Sequence, residues 1–220
     1  MLKKIISYFY PIPIHKTTSE ISKSLEVTMV NGEIVLDSKN TNYSYGSLQR
    51  ILRKGLKHIG FENILPMQHI LVLGVAGGSV IKTLVDEIGY EGKITGIELD
   101  EKVIELANTY FGLNKIENLQ LIHHEAFEFV LRTKKTYDLI IIDIFQDTTM
   151  PDFLFEPFFQ NRLIEIMNSN GYILFNTMLL NPNDNERNKK YHSYFDVNKF
   201  TISTLPRVEE HNELIIVQKK

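Results

Sequence analysis

The sequence predicts an α/β protein. Its main part reads as a mostly parallel sheet that ends in an antiparallel C-terminal strand, and a short β-hairpin precedes it. Three observations carry this prediction. From His69 onward, strand-like apolar runs alternate with helix-periodic segments, the pattern of a parallel sheet with helical crossovers. The runs HILVLGV (69–75) and YDLIIIDIF (137–145) are almost continuously apolar, as strands buried on both faces are. Finally, the link from Pro206 to Asn212 has no helical pattern and is shorter than the roughly dozen residues of a parallel crossover, so it suits a hairpin. The sheet is therefore expected to hold five or six parallel strands and one antiparallel strand.

The elements follow in order. The N-terminal MLKKIISYFYPIPIHK places Lys3 and Lys4 before an apolar stretch, as a signal peptide does. Pro11 and Pro13 interrupt that stretch and no small-residue cleavage site follows, so it reads as an apolar arm packed on its own domain or on a second subunit. Residues 21–37 read as a hairpin: Leu25, Val27 and Met29 alternate, Ile34 and Leu36 alternate, and Asn31-Gly32 between them suits a type I′ turn. Residues 44–59 carry Tyr45, Leu48, Ile51, Leu52, Leu56 and Ile59 at helical spacing, and Gly60 ends the helix. Strands are expected at 69–75, 93–100, 119–125, 137–145 and 171–178. Helices are expected at 78–89, 101–112, 126–134 and 155–170. The polar stretch 181–195 reads as part loop and part helix, before final strands at 200–205 and 213–220. Residues 1–62 would form the N-terminal part, and 63–220 the catalytic domain.

Composition narrows the function. The chain has 220 residues, 43% hydrophobic and 23% charged, with a formal net charge of −3. That excludes a disordered or collagen-like chain. The near-neutral charge argues against a nucleic-acid partner. No run approaches the length needed to span a membrane. With no Cys, there is no disulfide framework, thiolate zinc site or Cys nucleophile. No metal is expected: His123 and His124 adjoin on a strand and point to opposite faces.

In an open α/β sheet the ligand lies beyond the carboxyl ends of the strands, so the residues just after each strand matter most. After the first comes Gly74-Val75-Ala76-Gly77-Gly78-Ser79, small residues that let the backbone approach a ligand at a helix start. A tight turn with no ligand would look the same, and the loop is not G-x-G-x-x-G. Glu98 ends the second strand 24 residues beyond Gly74, where an acid can accept from ribose hydroxyls. A plain helix cap is the competing reading there, and Asp100 suits it better. After the third strand, Glu125 can accept from an adenine amino group and Ala126 can offer its N–H; a helix-start acid would also sit here. Asp143 ends the most apolar strand, where desolvation would raise its pKa toward that of a useful base. Asn176 follows as a polar contact in the same crevice. Phe153, Phe155, Phe158 and Phe159 read as core or pocket wall, and 146–154 as a lid.

Taken in order, ILVLGVAGGSVIKTL, ITGIELDEKVIELANTYF, HHEAFEFV and YDLIIIDIF resemble the spermidine synthase family, the polyamine aminopropyltransferases. That family has a Rossmann-like class I S-adenosylmethionine-dependent methyltransferase fold. The hairpin with LDSKNTNYSYGSLQ resembles its short β-domain, and the likeness covers about residues 21–178. The resemblance implies that Gly74, Ala76, Gly77 and Gly78 hold the methionine or aminopropyl end of the cofactor. It implies Glu98 on ribose, Glu125 with Ala126 on adenine, Asp143 as the acid that orients or deprotonates the acceptor, and Tyr45 in the acceptor site.

The departures fall on the acceptor side. Gly77 stands where the family has an Asp for the aminopropyl amine. Gly46 and Ser47 replace a His or Gln and a Glu. Gln146 replaces a second Asp, with Asp147 beside it as a partial substitute. Each lost carboxylate removes charge-assisted bonds of about 1.5–3 kcal/mol. The implied function is a cytoplasmic transferase using S-adenosylmethionine or its decarboxylated form, with methyl transfer to a small-molecule acceptor favoured because Gly77 leaves no acid for an aminopropyl amine. The alternatives are a true spermidine synthase acting on putrescine, a non-catalytic nucleoside-binding module, and a nicotinamide oxidoreductase, against which the missing G-x-G-x-x-G counts. A homodimer through the apolar arm would complete the pocket.

Overall fold

The computed structural model describes residues 2–38, 42–44, 47–145 and 149–220. A small antiparallel sheet comes first, with β1 (Ile12–Thr17), β2 (Leu25–Val30), β3 (Glu33–Ser38) and β4 (Asn42–Ser44) in that order. At the β2–β3 turn, Asn31 and Gly32 have φ of 52° and 80°, the two positive values that a type I′ hairpin needs.

The large sheet holds β5 (His69–Leu73), β6 (Lys93–Glu98), β7 (Leu119–His123), β8 (Tyr137–Ile142), β9 (Met167–Met178), β10 (Phe200–Val208) and β11 (Asn212–Lys219). Its order is β10-β11-β9-β8-β5-β6-β7. Strands β5 to β9 pair in parallel, while β11 slots antiparallel between β9 and β10. The short link after Pro206 does make a hairpin, and the class I methyltransferase arrangement expected of the sequence is present. From β5 the chain builds outward to β6 and β7 on one side and to β8 and β9 on the other. The strand order therefore reverses between β5 and β8, and it is above the carboxyl ends at such a reversal that open α/β sheets bind their ligands.

Alternation along the strands feeds a core on each face. Ile70, Val72, Leu139, Ile141, Leu174 and Leu214 pack with Leu52 and Leu56 of helix Ser47–Ile59. Leu71, Leu73, Ile140, Ile142, Phe175 and Ile215 pack with Val130, Phe159 and Leu163 on the other. Each such buried side chain contributes roughly 1.5–3 kcal/mol. Helix Ser47–Ile59 lies directly on the large sheet: a Cβ on Gly55 would run into Leu174 and Leu214.

Three elements differ from the sequence reading. The helix expected over 155–170 stops at Ile166, and β9 begins at Met167. Its entry is irregular: the register with β8 shifts between Tyr137 and Leu139, Asn170 takes φ 60°, and Asn168 donates to Asp138 (2.7 Å). Polar residues that can extend a helical pattern here serve a bulge. The helix expected over 78–89 is α-helical only over Ser79–Lys82 and widens to a π-helix over Thr83–Ile88, closed by Gly89 at φ 75°. Finally, the N-terminal arm packs on its own domain only in its second half, where Ile12–Thr17 pairs with β2 and Ile14 meets the core. Helix Leu2–Ile6 has no buried residue, and Tyr8, Phe9 and Tyr10 are exposed. Ser7 alone is buried there, hooked to the β2–β3 turn by bonds from the Asn31 and Gly32 N–H groups (both 2.9 Å).

Candidate active site

The switch point brings the ends of β5, β6 and β8 together. Gly74 leaves β5 with φ 84°, and a Cβ there would strike the carbonyl oxygen of Asp143. Only glycine permits that approach. The two strands are tied at this point, the Asp143 N–H donating to the Leu73 carbonyl (2.9 Å) and the Gly74 N–H to Ile97 (3.0 Å). Ala76 and Gly78 also take positive φ, 49° and 78°, and Gly78 opens helix Ser79–Lys82. Gly77 and Gly78 are buried.

Glu98 closes this loop. One carboxylate oxygen accepts from the N–H groups of Val75 (3.1 Å) and Ala76 (2.9 Å), the other from Leu99 (2.9 Å) and Asp100 (3.1 Å). Desolvation pushes its pKa up, and the same four N–H donors act against that rise. Asp100 is the helix cap, accepting from the Lys102 N–H (2.9 Å) at the start of helix Glu101–Phe111. The competing cap reading therefore belongs to Asp100, and Glu98 turns toward the glycine loop.

Glu125 caps helix Ala126–Arg132, accepting from the Glu128 N–H (2.8 Å), and stays half-exposed; Ala126 beside it is buried. Phe127 packs edge-on against Phe153 (5.3 Å) and Phe158 (5.6 Å) and stacks on Phe159 (6.2 Å). Phe127, Phe153 and Phe159 belong to the core on this face of the sheet, and Phe158 is exposed. His123 and His124 spend ring nitrogens on the Leu99 and Glu125 carbonyls (both 2.9 Å).

Asp143 sits at the centre, just past β8. Burial drives its pKa up to about 6; the Asn176 hydrogen bond lowers it and the charge of Glu98 raises it further. Asn176 is fully buried. Its amide nitrogen donates to Asp143 (2.9 Å), and its amide oxygen accepts from Asn212 (2.9 Å). Its amide is therefore committed to protein partners on both sides. Sequence reasoning missed Asn212. The available signal was a polar residue opening the apolar strand NELIIVQK, but only the fold brings it to Asp143. Tyr45, Gln146 and Asp147 lie outside the described residues.

A loop of small residues after the first parallel strand, acids ending the next strands, and an antiparallel strand inserted near the sheet edge define a class I methyltransferase fold. Human Methyltransferase-like protein 13, solved in complex with SAH, aligns with TM-score 0.67 and 19% identity over 80% of this chain and 83% of that one. Spermidine synthase from Thermotoga maritima aligns with TM-score 0.72 and 16% identity over 95% of this chain and 73% of that one. The spermine/spermidine synthase domain matches residues 49–220, so the chain belongs to that family. Among curated relatives, the polyamine aminopropyltransferase of Saccharolobus islandicus (strain Y.N.15.51 / Yellowstone #2) is 30% identical over 168 residues, 72% of this chain and 54% of its own length. That of Vibrio vulnificus is 26% identical over 131 residues, 58% and 44% respectively. The chain spans about half the length of the curated relatives it matches.

Proposed function

We propose that this chain transfers an alkyl group from an S-adenosyl sulfonium ligand to a small amine, with Asp143 taking the amine's proton. One observation carries the reading. Asp143 stands at the strand-order reversal and is poised to exchange a proton at about pH 6. The donor set fits such a ligand. Glu98 and Asp143 put two carboxylates at the switch point, suited to a cation, and Glu125 lies at the end of the neighbouring strand. When bound, the ligand supplies an electrophilic carbon on a positively charged sulfur, which leaves as a neutral thioether.

The chain's own residues supply the rest. The Asp143 carboxylate, held by Asn176, orients the amine and accepts its proton as the new carbon–nitrogen bond forms. The Gly74–Gly78 loop lets the backbone come close to the ligand. Glu98 has its four lone-pair positions filled by backbone N–H groups. A ribose hydroxyl would bond to it by displacing Val75 or Ala76, which then offers its N–H to the ligand.

Methyl transfer from intact S-adenosylmethionine is the form we favour, because Gly77 leaves no carboxylate to hold an aminopropyl amine or to repel a methionine carboxylate. The names of the curated relatives favour a second form, aminopropyl transfer from decarboxylated S-adenosylmethionine. Calorimetric titration with both compounds and with methylthioadenosine tests the proposal. Tighter binding of S-adenosylmethionine is expected. Preference for the decarboxylated compound moves the proposal to the second form, and no binding of any of the three refutes it.

A further inference from the structure

We propose that Asn212 is a positioning residue for Asp143, acting through Asn176. An asparagine amide has two chemically opposite ends, and only one suits a carboxylate. Because Asn212 donates to the Asn176 oxygen (2.9 Å), the Asn176 NH2 is turned toward Asp143 (2.9 Å). With Asn212 removed, only the Asp143 carboxylate itself holds the Asn176 amide in this orientation, and protonation of Asp143 frees the amide to rotate. The rotated amide presents its oxygen to Asp143, which is repulsive to a carboxylate and favourable to a carboxylic acid. Asn212 therefore holds Asp143 in the ionised form that accepts a proton. The bonds stand whatever Asp143 does; their catalytic meaning rests on the function proposed above.

The strand that delivers Asn212 is built irregularly. The register of β10 with β11 shifts between Leu205 and Val208, and Arg207, Glu209 and Glu210 all take positive φ. Bulges of this kind re-aim side chains near functional sites. The turn is pinned to helix Ser47–Ile59 by Glu209, which pairs with Arg50 (2.9 Å) and Lys54 (3.5 Å). Asn212 and Asn176 are both buried, so water does not readily replace either bond. Asp143 meets the Gly74 backbone from β5 and Asn176 from β9, and Glu98 at the end of β6 acts on it through its charge. The neighbouring Glu213 on β11 instead accepts from Asn188 (2.9 Å).

The test is a carboxyl-carbon NMR titration of Asp143 in the full chain, which needs no substrate. N212L is expected to raise the Asp143 midpoint by roughly 0.5–1 pH unit, as loss of a fixed donor implies. N176L should raise it at least as far, and the N176L/N212L double variant no further than N176L, because Asn212 acts only through Asn176. N212S, which is too short to reach Asn176, carries the same expectation should N212L fail to fold. An unmoved midpoint in either Asn212 variant overturns the proposal. So does an N212L shift that persists undiminished in the N176L background. Because the readout is a titration, it stands or falls independently of the transfer reaction.

Discussion

Strand β8 carries an aspartate near each end, and the two live in opposite environments. Asp138, at the amino end, feels burial that would raise its pKa, but donors from Asn168 (2.7 Å), the His69 N–H (3.0 Å) and the Gln68 N–H (2.7 Å) outweigh it, and its pKa falls below the ordinary value. Asp143, at the carboxyl end, is buried with Asn176 as its hydrogen-bond donor and with Glu98 as a like charge, and its pKa climbs to about 6. Burial acts first on both; it is deeper at Asp143, and three donors oppose it at Asp138 against one at Asp143. At Asp138 the three donors prevail and the carboxylate stays ionised, whereas at Glu98 desolvation prevails even over four N–H donors. Asp143, desolvated and with one donor against that cost, is held in readiness to take a proton.

Substitutions at the two positions should part in the same way. The largest effect is expected from D143N: turnover of the transfer reaction should fall by about 10²–10⁴-fold, with ligand binding changed only a few-fold. Single-turnover kinetics beside calorimetry check this, and unchanged turnover would remove Asp143 from the chemistry. The same variant should melt higher than the wild type at neutral pH. Since the folded-state pKa of Asp143 is raised from 3.8 to about 6, the folded chain keeps a proton that the unfolded chain has already lost. Stability therefore drops as pH rises through that window, by up to about 3 kcal/mol, and the D143N advantage should vanish near pH 4.

D138N should behave in the opposite sense. It turns an amide donor toward groups that already donate and should cost roughly 1–3 kcal/mol, seen as a melting temperature lower by several degrees, with activity per folded molecule retained. Because the folded pKa of Asp138 is depressed, its contribution is present above the unfolded pKa and fades as pH falls through the folded value, so D138N and wild type should converge in acid. The smallest effect is expected from E125A, which loses the cap on helix Ala126–Arg132 and should cost about 1 kcal/mol in a denaturant titration.

Only the Asp143 half of this contrast was legible in the sequence, since nothing there singled out Asp138. The parallel strands announced themselves through apolar runs, and the glycine loop, Glu98, Glu125 and Asp143 through their places at strand ends. Local pattern was weaker where polar residues serve tertiary needs. MNSN at the start of β9 can extend a helix on paper, but Asn168 is spent on Asp138 and Asn170 on a bulge. The π-helical turn over Thr83–Ile88 has no sequence period of its own that separates it from an α-helix. The double use of Glu98, four backbone donors on one carboxylate, depends on loop geometry that spacing does not encode. Asn212 was least legible, because it meets Asn176 only once β11 inserts between β9 and β10.

The central claim is that one strand holds a satisfied aspartate at one end and a chemically poised one at the other. Carboxyl-carbon NMR titration of the unmodified chain, with the Asp138 and Asp143 resonances followed together, tests it most directly. Asp143 should titrate near pH 6 and Asp138 below pH 3.8. Coincident titration of the two near the ordinary aspartate value would contradict the account.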